Sequence, residues 1–263
     1  MLTDLYRNRS YIWRTAWADV RHRYAGSAAG VMWNVLQPLS LILVFSVIFT
    51  QVIDRGVLSQ DALGIAYPVY LCSGLLPWLA LSECLSRGTL ALTQSAGLLR
   101  RLALPESVFV ARAALSAGIG LAISMALFLP IAWGAFGLGP SVAWLALPGP
   151  AILLIIFGFG LSLALAAVHA LIRDTATLVT IVLQVGFWCY PVVYHRSFLP
   201  GWAERVLIFN PAYPFLESIR TILLLDQLPG PGLWLGMLAW TLASCTIGST
   251  VLRALRSSVR DSA

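Results

Sequence analysis

No charged residue occurs between Arg112 and Arg173. A helix needs about 20 apolar residues to cross a bilayer, so this run is too long for one crossing. It breaks at Gly134 to Pro140 and again at Pro148-Gly149-Pro150. The spacing predicts two spans, 113–134 and 150–171, joined by a short uncharged turn. A second run, free of charge between Arg23 and Asp54, predicts another span at 31–53, with a kink expected at Pro38. Of the 263 residues, 59% are hydrophobic and 11% charged, against about 25% charged in a soluble domain. The expected fold class is therefore an all-α polytopic membrane protein, with the whole of 1–263 forming one transmembrane domain.

Three further spans follow from the same reading, at 62–82, 175–194 and 232–252. The second span (62–82) ends at Glu83 and Arg87, spaced to pair along a helix, and Arg173-Asp174 marks a tight turn before the fifth. The N-terminal stretch 3–24 is expected to be an amphipathic interfacial helix. Tyr6, Trp13, Trp17, Val20 and Tyr24 recur at helical spacing, with Arg7, Arg14 and Arg21 on a neighbouring stripe and Arg23 beside them. The same faces would also serve a helix packed on a partner.

Residues 88–104 form a short amphipathic segment, with Arg100 and Arg101 set among Leu98, Leu99, Leu102 and Leu104. Residues 195–231 are broken by Pro200, Pro211, Pro214 and Pro229 into two half-length apolar pieces. Pieces of that length do not span, and irregular backbone at membrane depth must be protein-buried or line a cavity. A re-entrant helical hairpin on the outer side is expected there.

Six spans put both termini on one side. All 17 basic residues are arginine. Only Arg55, Arg196, Arg205 and Arg220 fall on the side opposite the termini, so the positive-inside rule places the termini in the cytoplasm. Without lysine the chain cannot build a Walker A loop, and any ATP-driven work needs a partner. Cys72, Cys84, Cys189 and Cys245 stand singly, without metal or redox spacing. No paired-carboxylate, HExxH or GxSxG pattern is present. The spans carry no ionisable group except His169, where ion-coupled pumps usually bury Asp, Glu or His. These absences leave a pore or scaffold energised from elsewhere. No metal or cofactor site and no nucleic-acid partner are expected in this chain.

Aromatic side chains gather toward the outer half: Trp188, Tyr190 and Tyr194 at the end of the fifth span, and Trp202, Tyr213 and Phe215 in the broken region. Trp78 lies apart, near the inner end of the second span. One reading is the interfacial aromatic belt of membrane proteins. The other is a path along which sugar rings stack.

Several segments, in order, resemble a known family. Arg23-Tyr24-Ala25-Gly26-Ser27 through Trp33-Asn34-Val35-Leu36-Gln37-Pro38 is similar to the RY.GS.LG..W....P stretch of polysaccharide-exporting ABC transporter permeases. Gly74-Leu75-Leu76-Pro77-Trp78 resembles their GL.PW element. Arg173-Asp174 with Gln184, Phe187, Trp188, Pro191, Val193 and Tyr194 resembles RD...Q..FW..P..Y, and Asn210-Pro211 with Glu217 resembles NP.....E..R. Ala28-Ala29 replace bulkier residues of the pattern, and the short loop after the first span leaves no room for an external domain.

The resemblance implies the O-antigen exporter membrane subunit, with teichoic-acid and capsule exporters as relatives. Two copies would enclose one channel in the bacterial inner membrane. Two copies of a separate ABC ATPase would bind ATP and Mg and dock on Leu98, Leu99, Arg100, Arg101 and Leu102. The cargo would be a polysaccharide on undecaprenyl diphosphate, with the aromatics, Trp78 included, as candidates for its path. The alternatives are a permease of the same superfamily for drugs or lipids, and a membrane-embedded lipid- or sugar-modifying enzyme.

Overall fold

The computed structural model describes residues 1–22, 32–52, 67–101, 104–194, 201–202, 207 and 209–257. Every regular element among them is a helix. Helices α1 (Leu2–Arg7) and α2 (Arg9–His22) form the N-terminal arm, followed by α3 (Trp33–Val52), α4 (Tyr67–Gln94) and α5 (Ala96–Arg101). Then come α6 (Glu106–Phe136), a 3-10 turn at Val142–Ala146, α7 (Pro148–Leu171), α8 (Thr175–Cys189), α9 (Tyr213–Leu224) and α10 (Pro231–Ala254). Four stretches among the described residues are long and apolar enough to cross a membrane: α4, α6, α7 with its preceding turn, and α10. The expected first span is the 20-residue α3, with Pro38 inside it. The expected fifth is only 15 residues of helix, and the chain turns extended at Tyr190.

Two boundaries differ from the expectation. Helix α4 does not stop at Ser82 but runs through Glu83 and Arg87 to Gln94, and α6 begins at Glu106 instead of near 113. The segment 88–112 is therefore mostly the ends of two long helices, and the expected amphipathic helix at 88–104 reduces to the six residues of α5. The charges that looked like a membrane edge do not end α4, because they find partners within the bundle.

The turns follow local chemistry. Gly137 takes the left-handed conformation, with φ of 69°, and the amides of Gly137 and Leu138 close on the carbonyls of Trp133 and Ala132. A left-handed glycine is a common helix ending, and here it satisfies two of the last carbonyls. Pro148 then sits at the start of α7, where its missing N–H costs nothing. The Pro148-Gly149-Pro150 break is thus the beginning of a helix. Asn210 folds its side-chain oxygen onto the Ala212 amide at 3.0 Å, a local turn that launches α9.

Helices α4, α7 and α10 pack as parallel neighbours. Contact positions rise together along α4 and α7, Leu81 and Cys84 meeting Gly158, and Gly88 meeting Ser162. The same holds for α7 and α10, from Gly149 at Trp234 to Gly160 at Ser244 and Gly248. Helix α6 runs antiparallel to α4, with Gly120 beside Glu83 and Ser116 beside Arg87. Small residues allow the close approach. A β-carbon on Gly160 would lie 2.5 Å from the Ser244 hydroxyl and 2.6 Å from the Cys245 amide nitrogen. Between apolar helices in lipid, backbone proximity of this kind supplies the van der Waals attraction that water would otherwise drive.

Helix α9 is too short to span. It buries Phe215, Leu216, Ile219, Ile222 and Leu223, and Phe215 stacks on Phe157 of α7 at 5.0 Å. Much of the expected hairpin 195–231 before it lies outside the described residues.

Candidate functional site

Polar groups concentrate at the two ends of the bundle. At the end that holds α2 and α5, Asp19 on α2 pairs with Arg112 of α6 at 3.0 Å and with Arg87 of α4 at 3.6 Å. Arg87 donates to Glu83 at 3.0 Å and to the Ser116 hydroxyl at 3.1 Å. Glu106, buried in the first turn of α6, accepts from Arg256 beyond the end of α10 at 3.1 Å. The network fixes the N-terminal arm to two of the long helices. Ile12, Ala16 and Val20 add an apolar seam, the last two packing with Ile119 of α6. Trp13, Trp17 and Arg21 face outward, Trp13 56% exposed. The arm therefore has one face on its own chain and one facing away. Leu98 is exposed on α5, where Leu99, Arg100 and Arg101 follow it; Arg23, Tyr24 and Leu102 lie outside the described residues.

At the opposite end α8 gives way at Tyr190 to turn and bend backbone, and four successive carbonyls, 191–194, each receive a bond. The Tyr70 hydroxyl donates to Pro191 at 3.3 Å and to Tyr194 at 3.0 Å. The Tyr67 hydroxyl donates to Val193. Arg220 of α9 donates to Val192 at 3.1 Å. Non-helical backbone is tolerated at membrane depth only when its polar groups are satisfied in this way. The Arg220 guanidinium also lies 4.1 Å over the Tyr70 ring and 5.2 Å from that of Tyr190, whose hydroxyl reaches Glu217 at 3.4 Å. Gly74 makes the space: a β-carbon there would stand 2.5 Å from an Arg220 amino nitrogen.

The expected aromatic set divides. Tyr190 and Phe215 are fully buried, and Trp78 packs beneath Phe187 and Gly186. These three are buried side chains of the bundle and offer no open face. Trp188 and Trp202 are 60% and 71% exposed. Tyr194 is half-buried and donates to the Trp188 carbonyl at 2.7 Å, and Tyr213 stands 6.4 Å from the Tyr190 ring. Arg220, Tyr67, Tyr70 and Gly74 were not singled out as site residues. Arg220, expected on the side opposite the termini, is buried. The signal lay in the spacing of Glu217 and Arg220 within the resembling segment.

Three of the four resembling segments thus meet in one place, Gly74 from the first helix of the bundle core, Trp188 to Tyr194 from α8 and its exit, and Glu217 with Arg220 from α9. The sequence profile described as ABC-2 type transporter matches residues 10–224. The chain belongs to the ABC-2 type transporter family. This ABC-2 chain is 25% identical over 266 residues to an O-antigen export system permease of Myxococcus xanthus, covering 100% of this chain and 98% of that protein. It is 23% identical over 205 residues to an O-antigen export system permease of Klebsiella pneumoniae, 78% of this chain and 76% of the relative. A polysialic acid transport protein of Escherichia coli is 26% identical over 237 residues, 89% of each chain. The ABC-2 match runs from α2 through α9, stops where α9 ends, and leaves α10 outside it.

Proposed function

We propose that the chain is the membrane subunit of an ATP-driven exporter that moves a polysaccharide, carried on a lipid diphosphate such as undecaprenyl diphosphate, from the cytoplasm to the periplasm. The observation that carries this reading is similarity along the full chain to a permease named for O-antigen export. In this reading α3 and α8 complete six spans, both termini are cytoplasmic in the inner membrane, and two copies enclose the channel. The ionic end with α2 and α5 is the cytoplasmic end, which agrees with the distribution of arginine. A separate ATPase subunit, two copies, holds ATP and Mg and docks at α5, since a chain without lysine offers no phosphate-cradling lysine loop. The end with Arg220 and the 190–194 carbonyls is the outer end. There Trp188, Trp202, Tyr194 and Tyr213 are placed to meet sugar rings weakly. A conduit needs binding strong enough for entry and weak enough for sliding.

The test is a deletion strain. Its glycan should accumulate on the lipid carrier inside the cell and return to the surface on complementation with the intact gene. An unchanged surface glycan, with accumulation of a small lipid or a drug instead, would move the chain to another cargo class within the same family.

A further inference from the structure

Arg220 is 5% exposed on a twelve-residue helix, and no carboxylate among the described residues forms a salt bridge with it. Its Nε has no hydrogen-bond partner among them. Burying a cation without a paired charge is unfavourable, so ordinary core packing does not account for it. A leucine at the same position would fill the space without that cost. What the guanidinium supplies is a rigid plate with donors at its rim. The plate stacks on Tyr70 of α4, faces Tyr190 past α8, and donates to the Val192 carbonyl. One side chain on α9 thereby holds three separate segments at a fixed distance. Gly74 on α4 is shaped for it, since any larger residue would meet the guanidinium. Tyr67 and Tyr70 hold the flanking carbonyls of the same non-helical stretch. The stretch in turn carries Tyr194, bonded back to Trp188.

We propose that Arg220 is a positioning residue for export. It clasps the break after α8 against α4 and α9, and so sets where Trp188 and Tyr194 stand on the outer face that the polymer passes. This inference rests on the polysaccharide-export reading for its cargo, but the clasp itself can be tested without cargo.

Val192 is fully buried and contributes its backbone carbonyl to the clasp. V192C therefore places a thiol there while leaving that acceptor in place. In the permease assembled with its ATPase in lipid nanodiscs, V192C should react slowly with a membrane-impermeant maleimide. Adding Arg220→Gln, or Gly74→Ala, should raise that rate by about tenfold, the signature of a local opening. Arg220→Lys should not restore protection, because an ammonium cannot stack as a plate between two rings. In cells with matched permease levels, Arg220→Gln and Gly74→Ala should lower surface glycan per ATP hydrolysed, with ATP hydrolysis itself retained.

Unchanged V192C labelling in both variants would overturn the clasp. Full function with Arg220→Lys would reduce the residue to a charge, and export loss that only tracks protein level would reduce it to a stability element; either result overturns the proposal. A deletion strain with normal glycan would instead overturn the cargo reading while leaving the labelling result in place.

Discussion

The backbone of Gly248 on α10 rests against the carbonyl oxygen of Gly160 on α7, so close that a β-carbon at Gly248 would overlap it. Neither backbone can yield without separating the two helices. Gly248→Val is expected to cost more than the ~1–3 kcal/mol of a typical overpacking change, because the obstacle is main chain. Permease abundance in the membrane and the thermal midpoint in detergent should both fall sharply. Gly139→Val, at a position open to solvent with no neighbour within 4 Å, should leave both unchanged.

The link between Asp19 and Arg112 ties the N-terminal arm to α6. Both side chains are about a quarter exposed, so the pair is expected to contribute only ~1 kcal/mol or less. Asp19→Asn should therefore alter the position of α2 more than overall stability. Limited proteolysis should cut the arm faster at Arg14 and Arg21 in this variant. The exchange Asp19→Arg with Arg112→Asp should recover part of the protection.

The exposed and buried aromatics should separate by phenotype. Phe215→Ala removes a side chain stacked on Phe157, at an expected ~3–5 kcal/mol, and should lower protein level. Trp188→Ala and Trp202→Ala remove largely exposed rings and should leave protein level and ATP hydrolysis intact while shifting the length distribution of surface glycan. Equal length distributions in both tryptophan variants would assign these rings to the interfacial belt alone.

Docking of the ATPase at α5 is expected to depend on its exposed apolar edge. Leu98→Asp with Arg101→Glu should insert normally but abolish the coupling of ATP hydrolysis to export, read as retained hydrolysis without surface glycan. Wild-type export in the double variant would remove α5 from the coupling path.

Orientation can be read from two glycines with open surroundings, Gly97 and Gly139. A cysteine is tolerated at each. Gly139→Cys should react with an impermeant thiol reagent in intact spheroplasts, and Gly97→Cys only after the membrane is opened. The reverse pattern would invert the topology.

The residues that made the helices legible were the uncharged runs, Gly137 and the proline pair at 148 and 150, because span length and turn chemistry are local properties. The end of α4 was not legible. Glu83 and Arg87 look the same in a sequence whether water or a neighbouring helix satisfies them, and here Asp19 and Ser116, from elements distant in the chain, hold Arg87, which itself holds Glu83. The burial of Arg220 was not legible for the same reason, since Gly74, Tyr70 and Val192 surround it only after folding. Trp78, Tyr190 and Phe215 are aromatic like Trp188 and Trp202, and composition cannot tell a ring in the core from one at the rim.

Helix α8 has one further consequence. Its 15 residues rise only about 22 Å, against a hydrocarbon layer of about 30 Å. With α8 as a full crossing, the lipid beside it must compress, or the non-helical residues that follow must sit below the level of the headgroups. In the first case the leaflet thins beside the clasped carbonyls, and in the second those carbonyls lie within it. The hydrophobic mismatch is confined to one side of the protomer. A thicker membrane would therefore strain this chain first where α8 gives way to the clasped carbonyls.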